Sequence, residues 1–243
     1  MEQRRRSGRD GPRRRRGGVS DRSIYERALG EAFQDLHPKI QRRFGFDSDD
    51  DVAAVGRGEM RYVRNGGLLV YSFLLVGATH NTMFPEENTA VPFEVRNYAY
   101  VDAYGRETVS WLRRFRMPRE RRFDAAMIYS EDRDCIVDYL GTRHHLAVDI
   151  DLSVSDEGGV HIRSGDQRLY AFGRGVDFPM FLSARADVHE WYDEDAETFR
   201  IHVEVRNDVV GLIFEYEGRF DVEWVDCDTV PEKHRSVSPT RGE

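Results

Sequence analysis

From about Val91 to Trp224 the chain runs as short segments in which apolar and polar residues alternate, separated by turns rich in Gly, Asp and Glu. A period of two marks strands with one face toward a core, so this stretch predicts an antiparallel sheet that rolls up on itself. Apolar residues must share a face, because a one-residue slip sends every side chain to the other side. A four-residue loop, Glu194 to Glu197, then aligns Ala186, Val188 and Tyr192 with Phe199, Ile201, Val203 and Val205, and sets His189 across from His202. A five-residue connection through Asp156 and Gly159 aligns Leu146 to Val154 with Val160 and Ile162, and sets Asp151 opposite Arg163. Phe214, Tyr216, Phe220, Val222 and Trp224 make a further half-buried strand, with Glu215, Glu217, Arg219 and Asp221 outward.

The hairpins around Tyr104-Gly105 and Glu131 to Asp134 are apolar on both faces, which predicts cover on both sides. Candidates for that cover lie upstream. Ser23 and Glu26 form a capping box before a stripe of Tyr25, Ala28, Leu29, Ala32, Phe33 and Leu36. Pro38 suits the first turn of a second short helix carrying Ile40 and Phe44, which Gly45 would end. Val52 to Val63 reads as a first strand. Leu68 to Ala78, broken only by Ser72 and Gly77, is apolar nearly all round as a helix but far short of the ~20 residues of a bilayer span. Packing against the sheet is the simpler expectation, and peripheral membrane contact is the alternative. The predicted fold class is therefore α+β and predominantly antiparallel β: a curved sheet or barrel-like meander with an N-terminal helical segment and one apolar helix packed on it.

Composition refines this picture. Residues 1–20 carry eight arginines among Gly, Ser and Pro with no apolar anchor, so a disordered arm is expected, then one folded domain over 21–225 and a flexible tail over 226–243. No apolar segment follows the arginines, which disfavours an export signal. The arm is read as a solvated leader in preference to an electrostatic tether. Acidic residues number 44 against 36 basic, for a net charge of -8, and every basic residue except Lys39 and Lys233 is arginine. An acidic, lysine-poor surface fits a halophilic setting in which salt screens self-repulsion, and it makes nucleic acid an unexpected partner. Two cysteines, Cys135 and Cys227, provide no disulfide framework and fit a reducing cytoplasm.

Candidate chemistry is sparse. His189 and His202, flanked by Asp187 and Glu204, could meet a metal or share a proton only if their face curls inside; otherwise they are a solvated polar face. His144 and His145 point to opposite sides, and His161 falls on the polar face with Asp151. Two carboxylates, Glu190 and Asp138, break the apolar pattern. Each must pair with an arginine, with Arg113, Arg114 and Arg116 at hand, or line a cavity. The pairs Gly56/Gly58 and Gly173/Gly175 lack the third glycine and the helix of a dinucleotide site. No pattern requires a metal or cofactor.

Ser23-Ile-Tyr-Glu-Arg-Ala-Leu-Gly-Glu-Ala-Phe with Leu36-His-Pro, Gly56-Arg-Gly-Glu-Met60, Phe84-Pro85 with Val91-Pro-Phe93, Trp111-Leu-Arg-Arg-Phe115, Asp138-Tyr-Leu-Gly141 and Val209 to Phe214 with Tyr216-Glu-Gly218 together resemble a prokaryotic family, domain of unknown function 4166. The likeness spans about Ser23 to Phe220. It implies an accessory module, found alone or attached to membrane proteins or saccharopine-dehydrogenase-like proteins, and it carries over no catalytic residues. The residues themselves favour a binding module whose apolar interior, lined by Tyr98, Trp111, Phe115, Phe199, Tyr216 and Trp224, takes a small hydrophobic or amphipathic ligand or packs on a protein partner. The alternatives are an enzyme using Glu190 or Asp138 with His189 and His202, or a membrane-surface adaptor working through Leu68 to Ala78.

Overall fold

A computed structural model describes residues 22–171, 174–177, 184–227 and 231. The arginine-rich arm and most of the expected tail lie outside these residues. Strand alternation closes into a barrel. Strands β1 (Val52–Asn65), β2 (Asn88–Val101), β3 (Glu107–Phe115), β4 (Arg121–Ser130), β5 (Cys135–Leu140), β6 (Leu146–Val154) and β7 (Val160–Ala171) pair in sequence order. Beyond β8 (Arg174–Asp177), which pairs along β7, the ring continues through β9 (Arg185–Asp193), β10 (Thr198–Asn207) and β11 (Gly211–Asp226) back to β1. All pairings are antiparallel. Ten strands thus form a closed ring, which leaves the ring no free edge to attract another chain.

The expected registers are those observed. Tyr192 faces Phe199, His189 faces His202, and Asp151 faces Arg163. Local alternation suffices here because each pair is a short hairpin. On β1 the ladder slips at a bulge between Met60 and Tyr62. Beside it the strands pass so closely that a Cβ on Gly58 would lie 2.0 Å from the Arg219 carbonyl, and one on Gly218 would lie 2.3 Å from that of Glu59. The glycines at 58 and 218 therefore serve strand packing.

One end of the barrel is plugged by the N-terminal helices, α1 (Ile24–Leu29) and α2 (Pro38–Phe44). The Ser23 hydroxyl caps α1, accepting from the Glu26 amide at 3.1 Å and donating to the Phe44 carbonyl at 2.8 Å. The predicted single stripe does not persist as an α-helix. At Gly30 φ turns to +57° and the chain tightens into a 3-10 turn, Gly30–Asp35, before α2 begins at Pro38 and stops at Gly45 as expected. The plug is tied to the rim by the His37 amide, which donates to the Gly158 carbonyl at 2.8 Å, and by ion pairs from His37 to Glu194 and from Arg27 to Glu131.

Two expectations need correction. Neither helical segment covers the outer faces of the doubly apolar hairpins. There Ile128, Val137, Tyr139, Ala147 and Tyr170 pack as a separate outer cluster, and Ala53, Tyr98 and Tyr100 as another. The apolar helix α3 (Leu68–Thr79) is also not buried against the sheet. Only Val70 and Leu74 are buried, while Leu68 is 92% exposed, Leu69 80% and Val76 62%. The chain passes from β1 straight over the opposite end of the barrel and folds back at Gly77, where a Cβ would meet the Met83 carbonyl at 2.8 Å. That reversal drops Met83 and Phe84 into the interior and leaves α3 above them.

The interior has two halves. Along β1, β2, β3 and β11 it is filled by aromatic rings: Phe84 lies 4.9 Å from Phe214 and 5.2 Å from Phe115, and Phe115 lies 5.1 Å from both Phe93 and Tyr216, mostly edge to face. The half facing β4 to β7, β9 and β10 is less completely filled.

Candidate functional site

In that second half lies a cavity of about 250 Å³. Its wall is built from the inward residues of six strands, among them Met127, Val148, Ile162, Val188, Ile201 and Val203, with Trp111 from β3 and Phe73 from α3. The floor rests on α1: the Tyr25 hydroxyl accepts from the Trp111 indole N–H at 2.7 Å and donates to the Met127 sulfur at 3.4 Å. Burial raises the Tyr25 phenol well above its ordinary value, so it stays protonated and can make both contacts.

Polar groups in the wall are few. Arg113 is committed: its Nε donates to the Phe123 carbonyl at 3.1 Å, one Nη reaches the Tyr216 hydroxyl at 3.4 Å, and the guanidinium lies 4.0 Å over the Phe123 ring. Ser164 accepts from the Ala186 amide at 2.7 Å, and Gln167 donates to the Ala184 carbonyl. Asp138 differs. It is 6% exposed, and its Oδ1 is buried without a hydrogen-bond partner among the described residues. Burial pushes its carboxyl up to about 7, with the Arg113 charge opposing. Asp138 therefore offers an unsatisfied oxygen in an otherwise oily wall.

The other carboxylate, outside the cavity wall, has a charged partner at Oε1, while its Oε2 is buried without a hydrogen bond among the described residues. Glu190 is fully buried and paired with Arg43, which reaches in from α2 and also donates to Asn97 Oδ1 at 3.0 Å. Burial raises Glu190 while the Arg43 charge opposes it. Its partner is thus a helix arginine and none of Arg113, Arg114 and Arg116. The Arg43 guanidinium lies about 5 Å over both the Trp111 and the Phe220 ring, so its charge is held among aromatic faces.

His189 and His202 stand on the outer surface, on the opposite side of the sheet from Asp138 and Glu190. Register extends the pair into a row, because His161 on β7 faces His189 on β9, which faces His202 on β10. The row does not converge. The His161 and His189 rings stack at 4.2 Å, His189 stacks on Trp191 at 4.5 Å and bonds Ser155 Oγ at 3.1 Å, and His202 reaches Glu215 at 3.1 Å. Burial and the neighbouring His161 hold the His189 pKa down. Among the described residues no cluster of His, Cys, Asp and Glu could hold a metal ion. The enzymatic constellation of a buried carboxylate with these histidines is not assembled, since the sheet stands between its parts.

Of the aromatics expected to line the interior, Trp111 lines the cavity. Phe115, Phe199 and Tyr216 point inward but are packed into the filled part, Phe199 stacked on Phe220 at 5.6 Å. Tyr98 requires correction: it shares the outward parity of Glu94 and Arg96 and packs outside against Ala53 and Tyr100. Trp224 sits at the plugged end against Phe46 at 5.3 Å and under Arg42, away from the cavity. The wall residues Met127, Val148 and Val188 carried an available signal, since each has the inward parity of its strand. A larger groove on the outer surface between β7, β9 and β10 is polar, and its charges pair among themselves as Arg163 with Asp187, Arg185 with Asp208 and Arg206 with Glu204.

The family described as Domain of unknown function (DUF4166) matches residues 36–220, the whole barrel up to Phe220 together with α2 and α3. The chain belongs to this family. A DUF4166 assignment agrees with the resemblance read from the sequence, although the match begins at Leu36 and leaves α1 outside it. The chain is also similar to "Uncharacterized protein YndH" of Bacillus subtilis (strain 168), at 32% identity over 202 residues, covering 83% of this chain and 97% of that protein. No solved structure matches.

Proposed function

We propose that this DUF4166 domain is a binding module that takes a small hydrophobic or amphipathic ligand into the barrel, with Asp138 as the polar anchor. One observation carries the reading: a closed barrel retains a cavity of about 250 Å³ whose wall is apolar apart from a few committed groups and one unsatisfied carboxyl oxygen. Such a volume is a little below the ~300–1,000 Å³ common for small-molecule sites, and an apolar wall with few polar anchors is their usual make-up. A buried oxygen without a partner is costly, so a ligand bringing a hydrogen-bond donor recovers an interaction that the empty protein lacks. The two cysteines of the sequence offer no disulfide framework, in keeping with a reducing cytoplasmic setting for the module.

The test is uptake of N-phenyl-1-naphthylamine, an apolar probe with one N–H, followed by its fluorescence. The chain is expected to take up the probe, Ala186→Phe to block it by filling the cavity, and Asp138→Leu to weaken it roughly ten-fold through loss of one hydrogen bond. Uptake equal in the chain and in Ala186→Phe, or no uptake at all, would overturn the reading. Native mass spectrometry of protein purified from its own host would then identify the natural ligand.

A further inference from the structure

We propose that the α3 end of the barrel docks on a lipid bilayer, with α3 inserted below the headgroups and the β10–β11 turn, which carries Asp208, lying among them. Among the described residues, the exposed large apolar side chains gather at this end. Leu68, Leu69, Tyr71, Phe73, Leu75 and Val76 of α3 are exposed, and Val209 in the turn is 75% exposed beside Val210. Among the described residues the plugged end shows only Val101 and Tyr104 and carries the acidic loop Asp47 to Asp51.

The turn is built to present its tip. Asn207 Oδ1 accepts from the Val209 and Val210 amides at 2.9 and 3.1 Å, which holds both valines outward. At the base of α3 the Gly66 amide donates to the Ile213 carbonyl at 3.3 Å, fixing the helix start beside the same hairpin. At its far end the Thr142 amide donates to the His80 carbonyl at 3.0 Å. The apolar surface is thus framed by ordered backbone.

The chemistry of α3 selects a bilayer over a protein groove. A helix bound in a groove buries one face and keeps the other polar, and an interfacial helix likewise keeps a charged face toward water. The 12 residues of α3 include no charge, and their exposed positions cover the whole of the broad side that Val70 and Leu74 do not turn to the core. Immersion in hydrocarbon satisfies that broad uncharged side, while Val70 and Leu74 keep the other side on the barrel. At 1.5 Å per residue the helix measures roughly 18 Å, too short to cross ~30 Å of hydrocarbon, so the barrel rests on the membrane. Arg119 and Arg143, in the loops at the α3 end, are exposed, so their guanidinium groups can reach lipid phosphates, Arg119 with Glu86 nearby. Phe73 joins this surface to the cavity wall, being half exposed outside and part of the lining inside. A cavity opening toward acyl chains would fill from the bilayer.

The test is flotation of the full chain with vesicles of phosphatidylcholine alone and of phosphatidylcholine with phosphatidylglycerol, at low and at high salt. The chain is expected to float with both and to keep floating in high salt, because insertion and not charge holds it. The double variant Leu69→Glu/Val76→Glu should lose partitioning by on the order of 100-fold, while Val101→Glu/Tyr104→Ser at the far end should float unchanged. A Tyr71→Trp variant provides a second readout: brominated phosphatidylcholine should quench the fluorescence of the introduced indole. A chain that stays with the soluble fraction on both vesicles, a Leu69→Glu/Val76→Glu protein that floats as well, or a Tyr71→Trp variant whose added fluorescence is not quenched overturns the proposal. So does a dimer in solution that this double variant splits, since a second copy would then be the occupant. Probe uptake without vesicles is read separately, so docking and cavity binding fail independently.

Discussion

The two ends of the barrel carry helices of opposite character. At the N-terminal end α1 and α2 enter the ring, and their side chains are held by specific contacts: Ser23 to Phe44, Tyr25 to Trp111, Arg43 to Glu190. At the other end α3 contributes Val70 and Leu74 to the core and leaves its other large side chains in the open. One end commits its apolar surface to stability. The other keeps it accessible, next to a cavity and an unsatisfied carboxyl. Within one closed sheet the contrast separates structural burial from surface retained for contact with something else.

The contrast can be broken most sharply at Arg43. Arg43→Met strands Glu190 without its partner in the interior and should cost about 3–5 kcal/mol in chemical denaturation, whereas Arg43→Met/Glu190→Leu should recover most of that loss. If the single variant is as stable as the parent, the plug is not what closes this end. Phe44→Ala, removing a fully buried ring, should cost ~3–5 kcal/mol, while Phe73→Ala at the other end should cost less than about 1 kcal/mol.

Asp138 gives the contrast a pH dependence. Its carboxyl is near 3.8 in the unfolded chain and about 7 in the fold, so between these values the folded protein holds a proton that the unfolded chain has released. Its favourable contribution is complete below about pH 4, declines as pH rises and is gone above about pH 7. Asp138→Asn should flatten that decline and stabilise the protein at pH 8 by on the order of 3–4 kcal/mol. Thermal unfolding across pH 4 to 8 reads it, and parallel curves for parent and variant would refute the raised carboxyl. The smallest effect belongs to Leu69→Glu, expected within about 0.5 kcal/mol of the parent because the side chain is already in water.

Much of the barrel is legible in the sequence because hairpins are local. Alternation and turn length decide which residues of neighbouring strands face each other, and Ala186 to Val205 and Ile150 to Ile162 need nothing more, whereas a slip between Val148 and Ile150 resets the partners of Leu146 and Val148. The inward carboxylates are visible as breaks in that alternation. Aromatic bulk points Tyr98 inward, although its parity with Glu94 and Arg96 already puts it outside. The α3 helix could not be placed by pattern, because a segment apolar on every side has no stripe to mark its buried face. Nor could alternation reveal the cavity: it reports which side chains point inward and is silent on whether they fill the space between them.

Sequence alone determined an antiparallel, rolled sheet with an apolar inside, an outside polar except on the doubly apolar hairpins, and two carboxylates facing in, since each of these follows from neighbours along the chain. Tertiary structure alone decided that Arg43 meets Glu190 while Asp138 Oδ1 meets no partner among the described residues, that three histidines line up outside, and that α3 lies open above a partly empty interior. Those outcomes depend on segments far apart in the chain and on volumes enclosed by ten strands together, and neither quantity is written in any local stretch of residues.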